Sequence, residues 1–184
     1  MKQGFAGIGL DNPKTNTNVG GILRLAKNYD AKFVAISGRR YSRQAADTMK
    51  SYRHIPIFHH LDSLHDIIPY DCIPVAVDLV ANATSLPNFT HPKRAFYIFG
   101  AEDATLGKRI LDWCDARVYI PTDRCMNLAV TVGIVLYDRM VKRELSVALT
   151  KANVLEKIVD CAQVLDEQNI PGTGRFMVIP ARTH

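Results

Sequence analysis

Three short stretches of this 184-residue sequence place polar side chains where chemistry can be done. In NVGGILRLAK (18–27), Asn18 heads a helical pattern as its candidate N-cap, and Arg24 follows six residues later. Val19, Ile22, Leu23 and Ala26 keep the i, i+3, i+4, i+7 spacing of a buried stripe, so Arg24 projects away from it. Gly20 and Gly21 lie one turn before the arginine. Glycine inside a helix costs roughly 1 kcal/mol against alanine, so the pair needs a reason. Either they are helix-packing positions beside a solvated arginine, or they clear a notch where the guanidinium meets a phosphate or sugar. In YIFGAED (97–103), a buried strand ends at Gly100 and delivers the Glu102 carboxylate to its C-terminal end. Ligands of open α/β sheets sit at those ends, although an exposed loop glutamate is the plain alternative. In YIPTDRCMNLAVTVG (119–133), a strand ends at Ile120–Pro121 and Asn127 stands at the head of a long apolar helix. As an N-cap, Asn127 needs no further role. Nothing near Cys125 marks it as an activated nucleophile.

A fourth stretch is a binding candidate. Segment 38–54 holds Arg39, Arg40, Arg43, Lys50 and Arg53 against Asp47 alone, with Tyr41 and Tyr52 among them. Arginines beside aromatics suit phosphate contacts and base stacking, and a solvated face would look the same. The net charge of +5 and pI near 9.1 favour a polyanionic partner. The adjacent His59 and His60 have no further ligand at metal spacing. Cys72, Cys114, Cys125 and Cys161 form no C-x-x-C pair, so reduced thiols and no metal site are expected.

The elements that must position these residues alternate between strand and helix. Near-continuous apolar runs at 5–10, 31–37, 55–58, 72–80, 94–100 and 116–122 read as strands, several buried on both faces. Helical patterns cover 18–29, 106–115, 127–145 and 152–168, with a short one in LDSLHDII. This order predicts an α/β fold with a largely parallel sheet flanked by helices, built as a single domain over 1–184. The tail from Ile170, with two prolines and two glycines, reads as an extended arm. No apolar run has the length of a signal peptide or of the ~20 residues that span a bilayer, so a cytoplasmic protein without membrane contact is expected.

Singly these signals are weak, but their order is specific. Asparagine and arginine at a helix start, then G-x-E after a buried strand, then I-P and M-N before a long helix resembles the three motifs of the SpoU/TrmH family. These are S-adenosylmethionine-dependent RNA ribose 2′-O-methyltransferases of the SPOUT superfamily, and the resemblance runs over roughly residues 5–145. It implies a C-terminal trefoil knot, a feature nearly absent elsewhere and not derivable from periodicity. It also implies a homodimer acting on RNA, with S-adenosylmethionine as cofactor. A chain this short resembles the minimal members that act on tRNA; an anticodon-loop ribose is the first expectation and ribosomal RNA the second.

Carried over by residue, Asn18, Arg24, Glu102 and Asn127 take the catalytic roles. Gly100, Ile120 and Met126 meet the cofactor through their backbone, with Cys125 and Val80 beside them. From the basic segment itself, Arg39, Arg40, Arg43 and Arg53 are the RNA-binding candidates. Two positions depart from the pattern: Cys125 stands for the usual serine, and Thr105 for the glycine three residues after the glutamate. The rival is a non-catalytic RNA-binding or ribosome-assembly factor on the same fold, against which the retained Arg24, Glu102 and Asn127 speak. A Rossmann-type methyltransferase is disfavoured because GFAGIG lacks the G-x-G-x-x-G spacing.

Overall fold

The computed structural model describes residues 4–40 and 50–167, with side chains as far as Thr150. Arg43, the side chain of Cys161 and the tail from residue 168 lie outside the described residues. In chain order the elements are β1 (Phe5–Asp11), α1 (Asn16–Asn28), β2 (Phe33–Ser37), β3 (Ile57–Leu61), β4 (Ile73–Val77), β5 (Thr84–Ser85), β6 (Arg94–Phe99), α2 (Lys108–Leu111), β7 (Ala116–Tyr119) and α3 (Leu128–Glu167). Met1–Lys142 and Arg143–His184 form two compact units, and the whole sheet belongs to the first.

The seven strands make one sheet in the order β3-β2-β1-β6-β4-β7-β5. Each described pairing is parallel, as the apolar runs predict. Strand alternation sends Ala95, Tyr97 and Phe99 of β6 to one core, with α1 and α3, and Phe96 and Ile98 to a second core on the other face. The glycines of FAGIG serve this second core. A Cβ on Gly7 would lie 2.3 Å from the Phe33 ring, and one on Gly9 would lie 2.8 Å from the Phe96 ring. They make room for aromatic side chains and are no phosphate loop.

Three expectations need correction, and one strand was not foreseen. The chain carries one helix where two were expected, at 127–145 and 152–168. No glycine or proline occurs between Ile134 and Ile170, so nothing breaks it, and the Thr150 hydroxyl donates back to the Ser146 carbonyl at 2.8 Å. The expected helix at 106–115 shrinks to the single turn of α2, because Asp112 to Asp115 leave the helical ladder to enter β7. The short helix in LDSLHDII is one 3-10 turn, His65–Ile67. The two-residue β5 has no apolar run to betray it.

At the N-terminal edge of the sheet, α3 is fixed by a buried polar chain. Arg139 donates to the Phe5, Lys93 and Pro92 carbonyls at 3.0, 2.7 and 2.6 Å, and to the Tyr97 hydroxyl at 3.1 Å. That hydroxyl lies 2.6 Å from Nδ1 of His91, whose Nε2 lies 2.8 Å from Asp138. Lys142 reaches the same carboxylate and the Leu86 and Phe89 carbonyls. A neutral imidazole with its proton on Nε2 satisfies every partner: Tyr97 donates to Nδ1, and Nε2–H donates to Asp138. Burial lowers the His91 pKa, against the pull of Asp138. It likewise pushes the Tyr97 hydroxyl up to about 12.

The folded state therefore binds the His91 proton less well than the unfolded chain does. Its contribution is complete above the unfolded pKa of ~6.5 and is lost as pH falls below it. Thermal melts from pH 8 to pH 5 should show Tm dropping below about pH 6.5. Tyr97→Phe should cost about 1–3 kcal/mol in urea melts by stranding Nδ1. A pH-independent Tm in a folded His91→Gln variant identifies the titrating group.

Candidate active site

Residues far apart in sequence meet at the C-terminal edge of the sheet. Because β1 pairs with β6, the loop that leaves β6 lies against the entry to α1. There the Glu102 carboxylate accepts hydrogen bonds from the Lys14 N–H at 2.8 Å and the Thr15 N–H at 3.1 Å. The Asn18 side-chain amide donates to it at 2.7 Å. Asn18 in turn accepts at Oδ1 from Nδ2 of Asn127, at 2.9 Å. One residue from each candidate motif joins a single chain: Glu102, Asn18, Asn127.

This arrangement corrects the expected cap of α1. The helix starts at Asn16 with Thr15 as its N-cap, which makes no side-chain cap bond, and the first turn holds no acid. The expected cap, Asn18, is instead buried one turn inside. An acceptor for the N–H groups leading into α1 comes from Glu102, at the positive end of the helix dipole. Burial works to raise the Glu102 pKa, but the bonds from Lys14, Asn18 and Thr15 outweigh it and hold it below the ordinary carboxylate value. Asn127 does cap α3, accepting from the N–H groups of Ala129 at 2.9 Å and Val130 at 3.3 Å. One amide thus serves the helix start through Oδ1 and the site through Nδ2.

The opening glycines are now placed. A Cβ on Gly21 would lie 3.3 Å from the Ala129 Cβ, and Gly133 of α3 faces Leu25 at the same distance. Gly21 is a helix-packing position where α1 meets α3, which corrects the notch reading for that residue. Gly20 is buried and Arg24 is exposed. Helix geometry carries Arg24 ~9 Å along the axis from Asn18 and ~120° around it.

Neighbouring strand ends supply the other candidates. Gly100 ends β6 where a Cβ would stand 3.0 Å from the Ala104 carbonyl, so glycine is what lets this loop fold back. Val80, Ile120 and Met126 are half-buried apolar groups after β4, after β7 and before α3, while Cys125 is exposed. Burial pushes the Cys72 thiol up to about 11 and that of Cys114 to about 12.

Sequence reasoning missed Asp78. Its Oδ2 accepts from the Leu106 N–H at 2.6 Å and its own N–H donates to the Val118 carbonyl at 3.0 Å, tying together β4, β7 and the loop after β6. The signal was present: a carboxylate directly after the buried run PVAV, the same pattern that singled out Glu102.

Of the RNA-facing candidates, Arg40 forms a two-point pair with Asp103 at 3.0 and 2.8 Å, which holds the Asp103 carboxyl down at about 2. Arg39 is exposed beside it, and Arg53 ends a 3-10 turn, Ser51–Arg53, with its guanidinium 5.9 Å from the Tyr52 ring. The structure brings Arg39 and Arg40 to the Glu102 edge. Among the described residues no group of three His, Cys, Asp or Glu side chains could hold a metal, and no helix is long and apolar enough to cross a membrane.

Comparison with known proteins agrees with this geometry. The model of the SpoU rRNA Methylase family matches residues 6–137. Among solved structures, AviRb, a SpoU methyltransferase from Streptomyces viridochromogenes in complex with AdoMet, superposes with TM-score 0.67 at 21% identity, covering 78% of this chain and 59% of its own. The A. aeolicus TrmH/SpoU tRNA modifying enzyme gives TM-score 0.68 at 20% identity, covering 78% of both chains. A structure reported for the 2-OH methylation of C/U34 on tRNA gives TM-score 0.64 at 19% identity, covering 78% of this chain and 98% of its own. The chain thus spans about three fifths of the length of AviRb and matches the tRNA-acting structure over nearly all of it. The comparison with curated proteins finds no match. The shared fold implies the trefoil knot.

Glu102→Gln replaces an acceptor of three donors by an amide that must turn its NH2 towards one of them. At pH 7 it should cost about 1 kcal/mol in urea melts, the charged-bond value discounted for exposure. In the wild type the carboxylate contributes fully above the unfolded glutamate pKa of ~4.3 and loses that contribution as pH falls through its lower folded value. The gap between variant and wild type should therefore close below about pH 4. A gap that persists in acid means the charge plays no part.

Proposed function

Because the chain belongs to the SpoU rRNA Methylase family, we propose that it methylates a ribose 2′-hydroxyl of RNA, with tRNA the first candidate and ribosomal RNA the second. The observation that carries this reading is the convergence of Glu102, Asn18 and Asn127 at one sheet edge. The fold's cofactor is S-adenosylmethionine, and the residues here suit it. Strand-end backbone at Gly100, Ile120 and Met126 offers polar contacts, and half-buried Val80, Ile120 and Met126 offer flat apolar surface to an adenine. When bound, that cofactor supplies an electrophilic methyl group to the ribose oxygen.

The chain's own residues supply the rest. A guanidinium is a poor proton acceptor, so Arg24 acts by stabilising the negative charge that develops on the 2′ oxygen rather than as a base. Asn127 and Glu102 hold the entry to α1, and with it the start of the helix that carries Arg24. Cys125 in place of serine leaves a thiol at the rim.

The Arg24 backbone lies ~9 Å along α1 from Asn18, which leaves room for a site completed by a second copy. Residues Val130, Tyr137 and Met140 of α3 are 51%, 54% and 36% exposed and share one side of that helix. Such an apolar face suits a symmetric dimer. On this reading the chain acts as one methyltransferase domain whose arginine serves the partner's pocket.

Calorimetry should give micromolar S-adenosylmethionine affinity, about 8 kcal/mol of binding free energy. No binding at millimolar cofactor leaves the non-catalytic RNA-binding reading in its place. Nucleoside mass spectrometry of RNA from cells with and without the chain should identify a lost 2′-O-methyl nucleoside. Arg24→Ala should lose about a hundredfold in rate, ~3 kcal/mol, while keeping the cofactor. Mixing it with inactive Asn127→Ala should restore up to about a quarter of wild-type activity, since half of randomly exchanged dimers are hybrids with one intact site. Hybrids that form yet stay inactive place Arg24 in its own subunit's site.

A further inference from the structure

A second cavity opens on the same edge, next to the site already described. It has a volume of about 280 Å³ and is lined by Asn12, Ser37, Gly38, Arg39, Leu61, Asp62 and Arg109, at the C-terminal ends of β1, β2 and β3. The volume lies near the lower end of the ~300–1,000 Å³ of small-molecule sites, room for one nucleotide and little more. Its walls are built. The Asp11 carboxylate accepts from Nη2 of Arg109 at 2.7 Å and from the Ser37 hydroxyl at 2.7 Å, and the Asn12 N–H meets that hydroxyl at 3.3 Å. One bond to Asp11 uses one of the five guanidinium donors and fixes the rest of the group.

The cavity is continuous with the proposed catalytic edge. Arg39 lines it, the next residue Arg40 grips Asp103, and Asp103 adjoins Glu102. The strand ends of β1 and β6 are one sheet spacing apart, ~4.8 Å.

The charges choose the ligand. Two arginines alone would suit a phosphate, but Asp62 in the wall and Asp11 behind Arg109 balance them. Fixed donors beside a carboxylate acceptor suit a base edge instead. Arginine pairs with O6 and N7 of guanine, and a carboxylate accepts from exocyclic or ring N–H groups. Single-stranded RNA is read in this way, by unstacked bases on their hydrogen-bonding edges.

We propose that this cavity receives an unstacked base of the RNA strand beside the methylated ribose, guanine being the base whose edges match Arg109 and Asp62. The assignment rests on the RNA methyltransferase reading and gives that site a sequence preference.

The test uses the full chain and three probes: a labelled single-stranded heptauridine, the same oligomer with one central guanine, and free GMP. Anisotropy should show the guanine oligomer binding about tenfold tighter than heptauridine, the worth of one good base contact. Arg109→Gln and Asp62→Asn should each abolish that preference while Tm and S-adenosylmethionine affinity stay at wild-type values. Equal binding of the two oligomers overturns the proposal, as does a preference that survives both variants. GMP binding as tightly as the guanine oligomer also overturns it, by making the cavity a free-nucleotide site. In each of these cases intact S-adenosylmethionine binding leaves the methyltransferase reading standing. A wild type that binds neither cofactor nor oligomer overturns that reading, and this inference with it.

Discussion

The Glu102 carboxylate is the acceptor on which the edge of this sheet depends. The chain leading into α1 presents N–H groups that its own side chains leave uncapped, and a helix start of that kind favours negative charge. Glu102 meets two of them and the Asn18 amide, and Asn18 passes the connection to Asn127. The three groups orient one another, because the Asn18 amide donates to Glu102 while accepting from Asn127, and Asn127 also caps α3. Removing the carboxylate frees the entry to α1, and the frame for Arg24 loosens with it.

The far end of the same frame is held by different chemistry. Asn127 caps α3 at the C-terminal edge, and Arg139 anchors it at the N-terminal edge on the Phe5, Pro92 and Lys93 carbonyls. Between these points Leu128, Val132, Val135 and Leu136 fill the core. A helix fixed at both edges of the sheet acts as a strut, and Gly21 against Ala129 lets α1 lie close along it. Close packing of this kind transmits position well, since a shift at one end has no void to absorb it.

Charge at the functional edge is ordered by pairing. Arg40 is clasped by Asp103 and Arg109 by Asp11, so the arginines that the net charge advertises stand in defined orientations. Exposed pairs of this kind add little stability. In the proposed RNA site they would present preformed donors to an incoming strand, which lowers the ordering cost of binding.

The sequence by itself determined the parallel α/β architecture, the buried strands and the stripe of α1, because periodicity is local. It also determined that Asn127 caps a helix, since a cap and its helix are contiguous, and that the family is SpoU/TrmH, since three motifs keep their order. The length of α3 was legible in the lack of any glycine or proline between Ile134 and Ile170, although the sequence pattern reads as two helices. Tertiary structure alone decided what Asn18 does: a local reading makes it a cap, and only the pairing of β1 with β6 brings Glu102 to displace it inward. It also decided that Gly21 packs on Ala129, and that Asn12, Asp62 and Arg109 share one cavity. The reason is physical. Parallel neighbours are set by crossovers that join distant segments, so the partner of a side chain at a strand end depends on strand order, which no local pattern records.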